Sequence, residues 1–133
     1  MAWSRIKYRG RHFDSQDAVM EVWLRLVTDE MKQVRDSPEW LSELCDDWRR
    51  LVVWGGGIVP DLDENVSDDE HRLILLALCE KALTRLRSFG DPISSATLNA
   101  LETGPEGSTF TGDVEASVFL EGANAFIALL RNA

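Results

Sequence analysis

The seven residues Leu73-Ile74-Leu75-Leu76-Ala77-Leu78-Cys79 leave a helix with no polar side. A helix that is apolar all round has to be wrapped by other elements, because any open side would leave hydrocarbon in water. The run is far too short to span a bilayer, so what wraps it must be protein. Its flanks read as helix ends. Ser67-Asp68-Asp69-Glu70 has the form of a capping box, and Gly90 stops the helix after about Ser88. The sequence therefore predicts a mainly α fold with residues 73–86 as the central, most buried helix.

The wrapping elements follow from periodicity and punctuation. Ile6 to Phe13 alternates apolar and basic residues around Gly10, the pattern of a short β-hairpin. Asp14 or Ser15 is expected to cap a first helix in which Val19, Val22, Trp23, Leu26, Val27 and Val34 keep helical spacing. Ser37-Pro38-Glu39 opens a second helix, which Gly55-Gly56-Gly57 stops and bends after Trp54. The stretch from 58 to 66 reads as loop. A short helix is expected over 93–102, then a Gly-rich loop over 103–112 in which Ser108 to Thr111 could pair as a strand. Asp113 is expected to cap the last helix. The expected architecture is about five packed helices with an N-terminal hairpin. With 133 residues, 44% of them apolar, the chain suits a single domain over 1–133.

Charge is distributed unevenly on this frame. Residues 28–71 hold thirteen Asp or Glu against four Lys or Arg, a balance of −9 that equals the net charge of the whole chain. Such a field attracts a basic partner and repels nucleic acid and anionic membrane. On the second helix Trp40, Leu41, Leu44, Trp48, Leu51 and Val52 share one side, while Glu39, Glu43, Asp46 and Asp47 share the other. Glu39/Glu43 and Glu43/Asp47 are like-charge pairs four residues apart, each unfavourable by roughly 0.2–0.5 kcal/mol. A face that only solubilises more often mixes signs. The candidate partner-binding residues are therefore Glu39, Glu43, Asp46 and Asp47, continued by Asp61, Asp63 and Glu64 in the following loop.

That loop also has acids at EF-hand spacing: Asp61, Asp63, Asn65, Ser67 and Asp69. Val66 replaces the glycine of the sharp turn, and Arg72 stands where a bidentate Glu would close the site. No metal and no other cofactor is expected. The hairpin bases Arg5, Lys7, Arg9 and Arg11 read as counter-charge to the acidic middle or as plain surface. Trp23 and Trp48 fall on apolar faces and are expected in the core. Trp3, Trp40 and Trp54 lie near element ends, where an interface anchor could sit.

No catalytic constellation is visible. His12 lies in the basic hairpin, and His71 follows three acids as an expected solvated side chain. Cys45 and Cys79 occupy apolar helical positions. There is no H-E-x-x-H, no G-x-S-x-G and no phosphate loop. The expectation is a non-enzyme. The first eleven residues lack the apolar stretch of a leader, and two unpaired cysteines fit a reducing cytoplasm.

Size, acidity, the absence of a catalytic motif, and the short hairpin Tyr8-Arg9-Gly10-Arg11-His12-Phe13 before helices together give an outline. It resembles the small bacterial immunity proteins that neutralise secreted toxins of contact-dependent or polymorphic toxin systems. The resemblance implies an inhibitor of a basic toxin domain, often a nuclease, that covers the toxin's active or substrate-binding surface. Two other readings stand beside it: a phage-type nucleic-acid mimic or inhibitor, and a helical small-ligand-binding domain or enzyme with an unrecognised site.

Overall fold

A computed structural model of the chain describes residues 2–54 and 60–133. The expected glycine bend at 55–57 and the first two residues of the expected loop, 58 and 59, lie outside the described residues. The chain opens with a hairpin of β1 (Trp3–Tyr8) and β2 (Arg11–Gln16), in register from Trp3 opposite Gln16 to Tyr8 opposite Arg11. Arg9 and Gly10 form its two-residue turn with φ of 48° and 81°. Positive φ at both positions matches the right-handed twist of the strands. Ser4, Ile6 and Tyr8 point inward, while Trp3, Arg5 and Lys7 point out.

Six helices follow among the described residues: α1 (Asp17–Lys32), α2 (Glu39–Trp54), α3 (Leu62–Asn65), α4 (Asp69–Ser88), α5 (Ser95–Ala100) and α6 (Ala116–Arg131). The chain is mainly helical with a short hairpin, as its sequence predicts. The segment expected to be loop holds the one-turn helix α3. Its side chain Leu62 is fully buried, and Asp61 caps it by accepting a hydrogen bond from the Glu64 amide at 3.2 Å.

The central helix is α1, not α4. It packs on α2, α4 and α6, and six consecutive residues, Val19 to Leu24, are buried. In α4 the buried residues are Leu75, Leu78, Cys79, Ala82 and Leu86, a single stripe at helical spacing. Leu73 is 56% exposed and Ile74 37%, and Leu76 is only partly buried. An apolar run of under two turns fills one stripe and spills onto the open side. Composition alone cannot tell that from full burial, because burial depends on how many neighbours pack around the helix.

Phe126 of α6 sits at the middle of an aromatic cluster. The rings of Phe13, Trp23 and Trp48 meet it edge-on, with centroids 6.4, 6.0 and 6.0 Å away. Both core tryptophans are thus buried as expected, although their indole N–H groups have no hydrogen-bond partner among the described residues. Gly122 lets α6 approach α1. A β-carbon there would stand 2.8 Å from Val19 Cγ1.

Several helix caps differ from the sequence expectation. Asp14 and Ser15 belong to β2, and Asp14 pairs with Arg5 at 2.9 Å. The α4 cap is Asp68, which accepts from the His71 amide at 2.8 Å, and not Ser67. Asp113 accepts from the Ser95 amide of α5, while Asp91 accepts from the Ala116 amide of α6, both at 3.0 Å. Between these exchanged caps Ile93 and Val114 form an antiparallel bridge. That bridge takes the place of the strand expected over 108–111.

Candidate functional site

The strongest candidate surface is a groove of about 420 Å³ between α2, α3 and the start of α4. The i, i+3, i+4, i+7 spacing places Trp40, Glu43, Leu44 and Asp47 of α2 along one wall, so Glu43 and Asp47 adjoin Trp40 and Leu44 instead of lying on the opposite side of the helix as expected from the sequence. Glu64 and Asn65 of α3, with Ser67 and His71, form the other. Trp40 lies flat on His71, with ring centroids 3.8 Å apart and planes 12° from parallel. His71 Nε2 is 3.6 Å from Asp68 Oδ2. His71 is therefore a packed wall residue and not the solvated side chain expected from the sequence.

The seven predicted site residues are divided by the fold. Glu43, Asp47 and Glu64 converge on the groove. Glu39 is exposed at the first turn of α2, outside the groove lining. Asp46 faces the opposite flank, beside Lys32, Ser37 and Ser42. Asp61 caps α3, and Asp63 accepts the Arg9 backbone N–H at 2.9 Å. Glu39, Glu43, Asp46 and Glu64 have no ion pair among the described residues, whereas Asp47 pairs with Arg50.

Much of the remaining acidity is neutralised internally. The Arg9 guanidinium meets Asp69 at 2.9 Å and the Ser67 carbonyl at 3.3 Å, so the hairpin turn is docked on the segment after α3. Hydrogen bonds from Arg9 and then Arg72 hold the Asp69 carboxyl below the usual carboxylate range. Tyr8 adds a buried hydrogen bond, its hydroxyl donating to the Val66 carbonyl at 2.7 Å. Of the carboxylates at EF-hand-like spacing, Asp61 thus serves as a cap, Asp63 as the acceptor of a backbone N–H, and Asp69 as an ion-pair partner. Their sequence spacing gave no hint of Arg9, because that partner arrives from the other end of the chain.

The cysteines are placed for packing. Burial pushes both thiols up, away from the reactive thiolate, and Cys45 Sγ lies 3.6 Å from the Thr28 carbonyl. Among the described residues no group of three His, Cys, Asp or Glu is arranged to hold a metal ion, and no helix is long and apolar enough to cross a membrane.

Sequence reasoning noted Trp40 only as one of three possible anchors and missed its pairing with His71. An aromatic followed three residues later by an acid on one helix was the available signal. The partner helix was not visible. In comparison with known proteins, no family model matches the chain, and no curated protein or solved structure matches it either.

Proposed function

We propose that this chain is a non-catalytic acidic binding protein that neutralises a basic protein, acting as an immunity protein against a cognate toxin domain in the cytoplasm. The reading rests on one observation above all: three carboxylates, Glu43, Asp47 and Glu64, converge from two helices on a groove walled by a stacked Trp40. Asp47 meets Arg50, but Glu43 and Glu64 have no ion pair among the described residues, and the negative charge they leave in the groove favours a cationic surface laid into it. Trp40 supplies the large, rigid contact area that anchors interfaces. The groove is held by helix caps before any partner arrives, which lowers the cost of association. A basic toxin, a nuclease above all, carries the complementary charge at its substrate-binding surface.

The test is a pull-down from the source organism, followed by titration of wild type and the double reversal Glu43→Lys/Asp47→Lys against the captured partner. Both residues are exposed, so the variant keeps its fold. Its association rate should fall by about tenfold or more at low salt and lose most of its salt dependence. Protection against the toxin should be abolished. A folded double reversal that binds and protects like wild type rules out this groove as the docking surface.

A further inference from the structure

A second cavity, of about 190 Å³, lies between the first half of α1 and the segment that joins α5 to α6. It shares no residue with the acidic groove. Glu21 is its one charged lining residue. Glu21 is only 8% exposed, and its carboxylate has no hydrogen-bond or ion-pair partner among the described residues. It faces the bare backbone of Gly104: Oε1 lies 3.7 Å from where a β-carbon on that glycine would stand. The opposite wall is tied in place. Asn99 donates to the Phe110 carbonyl at 3.1 Å and accepts from the Phe110 amide at 2.7 Å, and the Gly104 amide donates to the Val52 carbonyl.

A carboxylate on a largely buried side chain, with no protein donor and open only to the cavity, is an unfavourable group for a fold to retain. The cavity offers what would complete it. Thr103, Ser108 and Thr109 add hydroxyl-bearing side chains, and Leu98 and Phe110 form an apolar side. One carboxylate and the hydroxyls beside it can accept all three donors of an ammonium group. A single carboxylate is too little for a calcium or magnesium site. We infer that this cavity binds a primary alkylammonium group, its charged head on Glu21, Ser108 and Thr109 and its alkyl chain between Leu98 and Phe110. The group is that of a small free amine or the end of a lysine side chain.

The Glu21 carboxyl holds its proton more tightly than an ordinary one. Burial, and then the nearby charge of Asp17, push its pKa up to about 7. Asp17 is on the same helix and itself accepts from the Ser4 hydroxyl at 2.5 Å. The lining residues from α5 and the following segment carry no titratable group. An arriving cation would restore the charged form.

The test titrates butylammonium into the chain and follows the backbone amide resonances of residues 98–110. Saturable, local shifts are expected with wild type. Affinity should fall about tenfold or more in Glu21→Gln, which keeps the shape and removes the charge. The same loss is expected in Ala18→Met, an exposed helical position at the cavity mouth whose longer side chain closes the entrance without touching the carboxylate. Butanol, of the same shape and uncharged, should not bind. A second arm uses Nα-acetyl-lysine methylamide, whose side-chain ammonium is free: binding as tight as butylammonium assigns the site to lysine side chains, and failure to bind assigns it to free amines. The inference is overturned if neither amine gives saturable shifts, if butanol binds as well, or if folded Glu21→Gln binds with wild-type affinity. Should Glu21→Gln not fold, unchanged affinity in Ala18→Met overturns it alone.

Discussion

The indole of Trp40 covers the imidazole of His71 at 3.8 Å between ring centroids, and this contact bridges α2 and the start of α4. Neither residue is at the centre of the core. Stacked pairs of this kind contribute about 0.5–1.5 kcal/mol beyond the area they cover. A double-mutant cycle of Trp40→Ala and His71→Ala, read by urea denaturation, should give a coupling energy in that range. A coupling near zero would mean that the stack holds nothing together.

At Gly122 the backbone of α6 lies close against α1. A methyl group there would sit 2.8 Å from Val19 Cγ1 and 3.3 Å from Met20 Cε. Alanine is the better helix former by about 0.8–1 kcal/mol, but Val19 is β-branched and has little room to turn aside. Overpacking should win. Gly122→Ala is expected to lower stability by about 1–3 kcal/mol in denaturant titration, where a surface position would have gained.

Asp29 collects three arginines: Arg85 at 2.7 Å, and Arg25 and Arg49 at 3.2 Å each. Burial pushes its carboxyl up, but hydrogen bonds from Arg85 and Arg49 and the charge of Arg25 outweigh it, and the pKa ends below 3.8. Asp29→Asn leaves three partly exposed arginines without their shared anion, and should destabilise by about 1–3 kcal/mol at pH 7. A carboxyl with a depressed folded pKa contributes stability above its unfolded value and loses it as pH falls. The gap between wild type and Asp29→Asn should therefore narrow as pH drops below 3.8, which melts across an acid series would show.

Glu21 has the opposite sign. Its folded pKa of about 7 lies above the ordinary 4.5, so the folded state holds the proton more tightly. Its contribution to stability falls as pH rises from about 4.5 to about 7 and then levels off. Glu21→Gln removes this dependence. The variant should exceed wild type by about 1–3 kcal/mol at pH 8 and match it within about 0.5 kcal/mol near pH 4. Equal stability at both pH values would show that the carboxylate is solvated.

What the sequence determined by itself was local. The start of α2 after Ser37-Pro38, the end of α4 at Gly90 with φ of 86°, the hairpin turn at Gly10, and the burial of Trp23 and Trp48 follow from backbone preference and apolar spacing within a few residues. The concentration of acid was equally legible. Only the tertiary structure decided which helix is central, because α1 is enclosed on several sides and α4 on one. It also decided that Asp91 and Asp113 cap each other's helices, and that Asp46 parts from Glu43 and Asp47 on opposite flanks of α2. The burial of Glu21 without a partner belongs to the same class. In each case the outcome depends on what a distant segment brings to the other side of the contact, and residue spacing along one helix carries no record of that.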